Sequence, residues 1–289
     1  MMTGEYKTGL VMEGGAMRGM FTAGVTDVFM ENGIEFAGAI GVSAGASFGC
    51  NYKSRQAGRA IRYNTKTCHQ WRFASLRSWI LTGDLYGADY CYHVVPEKFD
   101  PFDYEAYNTN PMEFYAVCTD VRTGKPIYHS MPSVDTHSVE WFRASSSMPI
   151  VSRIVKHDGE LLLDGGISDS IPLQAFEALG YNRNVVILTR PASYVKKPNA
   201  LMPLIRLVYR RYPKFVEAIA QRHIMYNAET AYVSERERAG ATLVIRPEAA
   251  LPVRPFERNE ERLWETYRLG RAQGEARLAQ VKEFLGIEN

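Results

Sequence analysis

Four cysteines are all this 289-residue chain has. Cys50, Cys68, Cys91 and Cys118 stand far apart, with no CxxC pair and no histidine at zinc spacing, which speaks against both a disulfide framework and a zinc site. An excess of charge is also lacking: 34 Lys and Arg against 32 Asp and Glu leave a formal +2. Nucleic-acid binding usually needs a strong basic excess, so it is set aside, and attraction to an anionic surface must come from a local patch. No apolar run approaches the roughly 18 residues of a membrane span. The opening stretch Met1-Met2-Thr3-Gly4-Glu5-Tyr6-Lys7 is polar and unlike a signal peptide, so the expected compartment is the cytosol, with peripheral contact to the inner membrane surface. Histidine is scarce as well, at six, and only His223 follows the Asp164 considered below.

What is present is a succession of strand, glycine-rich turn and helix. Gly9 to Met12 is short and apolar, the turn Glu13 to Gly19 follows, and a helix is expected to about Glu31, closed by Asn32-Gly33. Phe36 to Val42 repeats the pattern, with Ser43 to Ser47 turning into a helix expected to reach about Arg62. Two such units predict an α/β fold with a mostly parallel central sheet and helices on both faces. Glu113–Cys118 and Lys125–His129 flank Arg122-Thr123-Gly124 as a hairpin. Short strands are expected at Glu160–Leu163, Asn184–Thr189 and Thr242–Arg246, and a charged helix from Glu257 to Leu285. No repeat or clear linker interrupts the chain. It reads as one domain over residues 1–289, with a mainly helical C-terminal extension from about 250 to 289.

Three stretches carry chemistry. Gly41-Val42-Ser43-Ala44-Gly45 fits G-x-S-x-G, in which a serine stands out from a tight strand-to-helix turn and only small neighbours avoid clashing with it. Gly14, Gly15, Ala16, Arg18 and Gly19 belong to a turn that offers backbone N–H groups at a helix start, a nest for anions. That turn fits a dinucleotide site or an oxyanion hole. The dinucleotide reading wants an acidic residue about 20 positions on, where this chain has Gly41-Val42-Ser43. Asp164-Gly165-Gly166 follows the apolar Leu161-Leu162-Leu163, so its carboxylate would be partly desolvated and its pKa raised toward a useful range. An Asp-Gly turn is also common for purely structural reasons. A triad of Ser43, Asp164 and His223 is the competing arrangement, but no turn signal presents His223.

Taken in order, these stretches resemble the patatin-like phospholipase family, whose pattern is a glycine-rich oxyanion turn, G-x-S-x-G and then D-G-[GA]. The block Arg143 to Pro149, the segment Asp169-Ser170-Ile171-Pro172 and the Thr119–Gly124 hairpin are similar too. The likeness runs from about Lys7 to Pro191, and the tail is similar to an extension of some bacterial members. It implies a three-layer sandwich and hydrolysis of carboxylic esters of lipids, of phospholipase A or lysophospholipase type. Ser43 would be the nucleophile that forms an acyl-enzyme, Asp164 its general base without histidine, and the Gly15 and Ala16 amides the oxyanion donors. Gly41 and Gly45 would shape the elbow, and Gly165 and Gly166 the base turn. A general carboxylesterase or a catalytically weak lipid-binding protein are the alternatives. No cofactor and no metal are expected. The chain departs from the pattern at Glu13, where the family has Asp, and at Ala16, where it has a third Gly.

Leu201 to Ile219 reads as one amphipathic helix, with Leu201, Leu204, Ile205, Val208, Tyr212, Phe215 and Ile219 on one face. Arg206, Arg210 and Lys214 lie on another, beside Arg211. Such a helix suits contact with an anionic lipid surface, or equally a core-facing helix with a solvated side. The stretch from Trp71 to Tyr92, with Phe73, Trp79, Ile80 and Leu81, reads as an aromatic insertion over the sheet.

Overall fold

The computed structural model describes residues 6–287; Met1–Glu5, most of the polar opening stretch, lie outside the described residues. Strand β1 (Thr8–Met12) leads through the glycine-rich turn into α1 (Gly19–Glu31), then β2 (Gly38–Val42) and α2 (Ala44–Lys53). Helices α3 (Arg59–Thr67) and α4 (Leu76–Thr82), a π-helical segment at Tyr90–Phe99 and α5 (Tyr104–Thr109) cross to β3 (Glu113–Asp120) and β4 (Pro126–Ser130). Helix α6 (Val139–Ser145), β5 (Val155–His157), β6 (Glu160–Asp164) and α7 (Leu173–Ala178) follow. The chain ends with β7 (Arg183–Ile187), α8 (Met202–Val208), α9 (Pro213–Arg238), β8 (Thr242–Ile245) and α10 (Glu260–Leu285).

The strands form one sheet in the order β5-β6-β3-β2-β1-β7-β8, with β4 also on β3. Pairing is parallel from β3 through β2, β1 and β7 to β8, and antiparallel for β4, β5 and β6. Alternating residues supply the two faces. Leu10, Met12, Ala39, Ala116, Val185 and Ile187 pack with Phe21, Val25 and Phe29 of α1, Ala46 of α2, Phe142 of α6 and Val281 of α10. Val11, Ile40, Val42, Val117 and Val186 pack with Leu173 and Phe176 of α7 and Tyr226 and Val233 of α9. The result is the expected α/β sandwich of three layers.

Register on β3 creates the site. One edge of β3 carries β4, where Val117 pairs with Tyr128 and Cys118 with Ile127. On the opposite edge, Val117 pairs with Val42 of parallel β2 and Cys118 with Asp164 of antiparallel β6. Two strands of opposite direction therefore share that edge at consecutive positions, and their C-terminal ends meet. Ser43 leaves one end and Asp164 the other, although 121 residues separate them in sequence.

Two expected helices are broken. The helix after Ser43 stops at Lys53, and α3 starts after Gly58, which sits at φ 73°. The single helix expected over Leu201–Ile219 is two, α8 and α9, and the break falls before Pro213. Proline disfavours helical backbone in the residue before it, and Tyr212 stands at φ −127°, ψ 68°. The predicted common face is divided accordingly: Ile205, Phe215 and Ile219 are buried, whereas Leu201, Leu204 and Val208 are exposed. In the aromatic insertion Phe73 is buried, while Trp79, Ile80 and Leu81 are exposed.

Candidate active site

The elbow is strained where the motif predicts strain. Ser43 sits at φ 54°, ψ −121°, a left-handed φ uncommon for a residue with a side chain. The turn closes because small residues let the backbones touch: a side chain on Gly41 would begin 2.5 Å from the carbonyl oxygen of Gly45. Gly14 lies against the serine itself, since a Cβ there would be 2.9 Å from that of Ser43. Ser145 fastens the elbow, its Oγ accepting from Ser43 N–H at 2.9 Å and donating to the Val117 carbonyl at 2.6 Å.

Ser43 Oγ donates to Asp164 Oδ2 at 2.7 Å. Asp164 Oδ1 accepts the Gly166 amide at 2.8 Å, its own N–H donates to Ser147 O, and its carbonyl accepts Thr119 Oγ1. Burial pushes the Asp164 pKa up, and the Arg222 cation, the Ser43 hydroxyl, the Gly166 amide and Lys196 pull against it. A carboxylate poised in this way accepts a proton more readily than an exposed one. His223 turns its ring nitrogen to Ala220 O of its own helix, and the Ser43 hydroxyl goes to the carboxylate.

The glycine-rich turn lies beside the elbow because β1 and β2 are parallel neighbours, with Met12 opposite Gly41. Among the described residues the Gly15 and Ala16 amides donate to no other group, which leaves them available to a ligand oxygen. Ala16 takes φ 49°, so the alanine in place of a third glycine occupies left-handed backbone, at a cost of about 1–2 kcal/mol. Glu13 is buried and structural, accepting from Thr189 N–H and Oγ1 and from Tyr226 OH. Arg18 Nε reaches Thr189 Oγ1 at 3.3 Å. Gly19 packs under Phe48 and Ala44, and Gly165 under the Val117 carbonyl.

An apolar cavity of about 140 Å³ opens from Ser43, lined by Met17, Phe48, Phe73, Val95 and Phe142. Burial raises the Cys50 and Cys91 thiols in its wall to about 12, so they stay neutral. The charged groups of the wall are paired, Arg59 with Asp100 and Arg143 with Glu140 and Asp84.

Sequence reasoning missed Ser145, Thr119, Thr189 and the inward face of α9. Ser145 lies in the Arg143–Pro149 block and was open to discovery there. Arg222, Tyr226 and Glu229 had no local signal. Arg222 Nε donates to Gly166 O, Tyr226 OH to Glu13 Oε1, and Glu229 accepts the Ser170 and Ile171 amides.

The chain is similar to several known proteins. It is 29% identical over 243 residues to the uncharacterized protein YjjU of Escherichia coli K12, which covers 72% of this chain and 64% of that protein. It is 29% identical over 178 residues to lysophospholipase nte1 of Aspergillus fumigatus, which covers 60% of this chain and 11% of that protein. It thus spans less than two thirds of either relative. Among solved structures, VipD of Legionella pneumophila aligns over 96% of this chain and 67% of its own, with a TM-score of 0.47 and 12% identity. A family model for a domain of unknown function, DUF6363, matches residues 212–286. The model of the patatin-like phospholipases matches residues 10–177, more than half of the chain and all three motif turns, and the chain belongs to that family.

Proposed function

We propose that the protein is a serine acyl hydrolase of lipid carboxylic esters, of phospholipase A or lysophospholipase type, working through Ser43 and Asp164. The observation that carries this reading is the 2.7 Å hydrogen bond from a strained, elbow-borne Ser43 to a buried carboxylate at the mouth of an apolar cavity. Ser43 Oγ attacks the ester carbonyl while Asp164 takes its proton. The charge that builds on the carbonyl oxygen is met by the Gly15 and Ala16 amides. The alcohol leaves with the proton held by Asp164, and the acyl group stays on Ser43. Asp164 then takes a proton from water, the hydroxide oxygen attacks the acyl carbonyl and displaces Ser43 Oγ, Asp164 returns the proton to that oxygen, and the fatty acid departs. The cavity compares in volume with engineered apolar cavities of about 150 Å³ that bind benzene, so it suits the first carbons of an acyl chain.

The test is hydrolysis of p-nitrophenyl butyrate and hexanoate. Ser43→Ala and Asp164→Asn are each expected to lower kcat by about 10³-fold or more. Asp164→Asn should unfold at no lower temperature than wild type, because it replaces a buried charge with a neutral amide. Full activity in either variant overturns the dyad.

Contact with an anionic lipid surface is part of the proposal. The exposed Leu201, Leu204, Leu207 and Val208 lie among the exposed Arg206, Arg210 and Lys214. Trp79 Nε1 and Tyr209 OH both bond Ile150, two residues past the cavity-lining Met148, which ties the exposed α4 to the same rim. Reversing the three charges is expected to weaken binding to anionic vesicles; unchanged binding would remove this part of the reading.

A further inference from the structure

Four cations gather near the Ser43–Asp164 pair without lining the apolar cavity, and three of them come from chain beyond residue 177. Arg18 lies in the glycine-rich turn, Arg190 and Lys196 in the loop after β7, and Arg222 on α9. Their placement is concrete. A Cβ on Gly166 would be 3.1 Å from both Arg222 Nη2 and Asp164 Oδ1, so the guanidinium and the base flank one point. A Cβ on Gly15 would be 3.1 Å from Arg18 Nη2. Lys196 Nζ stands 4.3 Å over the Tyr226 ring and 5.8 Å from that of Tyr194, which also carries Arg190 at 4.3 Å. Tyr226 donates to Glu13, whose other oxygen holds Thr189, and Thr189 Oγ1 accepts Arg18. Arg190, Lys196 and Arg18 lie on one short chain of contacts beside the Gly15 amide, and Arg222, on the Gly166 turn next to the carboxylate, is close enough to Lys196 for their charges to interact.

Among the described residues none of the four forms an ion pair. The acids facing them are Glu13 and Asp164, and both are already engaged by hydroxyl or amide donors. All four cations are half-buried, so they are partly desolvated and still reachable. Holding like charges together in this way is unfavourable without a counterion. Burial and the neighbouring Arg222 lower the Lys196 pKa to about 8, and burial with Arg190 lowers that of Arg18. The charges of the apolar cavity, by contrast, are paired.

We infer that Arg190, Lys196 and Arg222, together with Arg18, form an oxyanion subsite that takes the phosphate of the ester substrate while the acyl chain enters the apolar cavity. This rests on the hydrolase reading and narrows it to esters that carry a phosphate. Guanidinium and ammonium donors bind phosphate oxygens through charge-assisted hydrogen bonds.

The experiment compares monolauroylglycerol with its phosphate ester, lauroyl lysophosphatidic acid, for wild type, Lys196→Gln and Arg190→Gln. Wild type is expected to favour the phosphate ester by about 10-fold or more in kcat/KM. Each variant should lose most of that preference through KM; Arg190→Gln should keep wild-type rates on monolauroylglycerol, and Lys196→Gln, which also removes a cation near Asp164, should keep them on the plateau above the acid limb of the pH–rate profile. Equal rates on the two esters in wild type, or equal losses on both in the variants, would overturn the subsite. Glycerol phosphate and inorganic phosphate are run as inhibitors of monolauroylglycerol hydrolysis. Inhibition by inorganic phosphate without a substrate preference assigns the cations to free phosphate and overturns the headgroup assignment. Calorimetric binding of glycerol phosphate to Ser43→Ala, weakened by Lys196→Gln, is expected even where wild type hydrolyses no ester; that pattern would keep the subsite and reject the hydrolase.

Discussion

Helices α9 and α10 have the same length, 26 residues, and the same burial rhythm, yet they do different work. On α9 the inward positions are Phe215, Ile219, Arg222, Tyr226, Glu229 and Val233; on α10 they are Leu263, Tyr267, Gly270, Gly274, Leu278 and Val281. Both stripes advance by steps of three or four, the spacing that keeps one side of a helix inward. The α10 stripe carries two glycines at its middle, Gly270 and Gly274, and lets two backbones approach. A Cβ on Gly270 would lie 2.0 Å from Phe21 O, and one on Gly24 of α1 would lie 2.2 Å from Tyr267 O. The middle of the α9 stripe is polar, and its groups end on the Gly166 turn, Glu13 and the Ser170-Ile171 amides. One helix is scaffold. The other braces the turns that present Asp164 and the Gly15 amide. A hydrophobic rhythm therefore tells which side of a helix faces inward, and the chemistry at those positions tells what the helix is for.

Mutation of each stripe separates the two roles. The largest effect on stability is expected from Gly270→Val, whose branched side chain has no space against the α1 backbone. Denaturant unfolding should show a loss of about 3 kcal/mol, at the upper end for overpacking. A variant as stable as wild type would mean that α1 and α10 separate readily, and the contrast would fail.

Next comes Arg222→Met. It should leave the melting temperature within a few degrees of wild type and lower kcat at neutral pH by about 10-fold, as Asp164 loses a nearby cation. The sign is definite. As the proposed base, Asp164 works in its carboxylate form, and its pKa is already raised by burial with Arg222 opposing the rise. Without that cation the pKa climbs further, so the acid limb of the pH–rate profile moves to higher pH. Arg222→Lys, which keeps the charge, should return the limb toward wild type. An unmoved limb would reduce Arg222 to a structural strut.

The smallest effect belongs to Arg271→Met on α10, which removes the partly exposed ion pair with Glu31 at 2.7 Å. Its cost is expected to stay below about 1 kcal/mol, with no change in kcat or in the pH profile. A changed profile would link α10 to the site.

Much of this architecture was legible from local pattern. Buried parallel strands are short apolar runs, and the elbow and the Asp-Gly turn announce themselves because strained backbone and close approach admit few residue types. Helix α10 ends at Leu285 as expected, with Gly286 in left-handed backbone at φ 70°, but it starts at Glu260, later than the expected Glu257, behind the Asn259 N-cap. Leu201–Ile219 misled because hydrophobic periodicity survives a break: the spacing continues through Tyr212, but Pro213 cannot continue a helix from α8. The part played by α9 was hidden because Arg222 and Glu229 on a helical face look like solvated surface until the partner is known.

The sequence by itself determined the first two strand–turn–helix units, the strained turns and the residue types proposed to attack an ester and accept a proton, since each of these depends on neighbours within a few positions. The tertiary structure alone decided that β2 and β6 end against each other on one edge of β3, bringing Ser43 to Asp164. It decided equally that four cations from separate parts of the chain meet beside them. Register and long-range charge are properties of packing, where the free energy of each contact depends on groups that no local window contains.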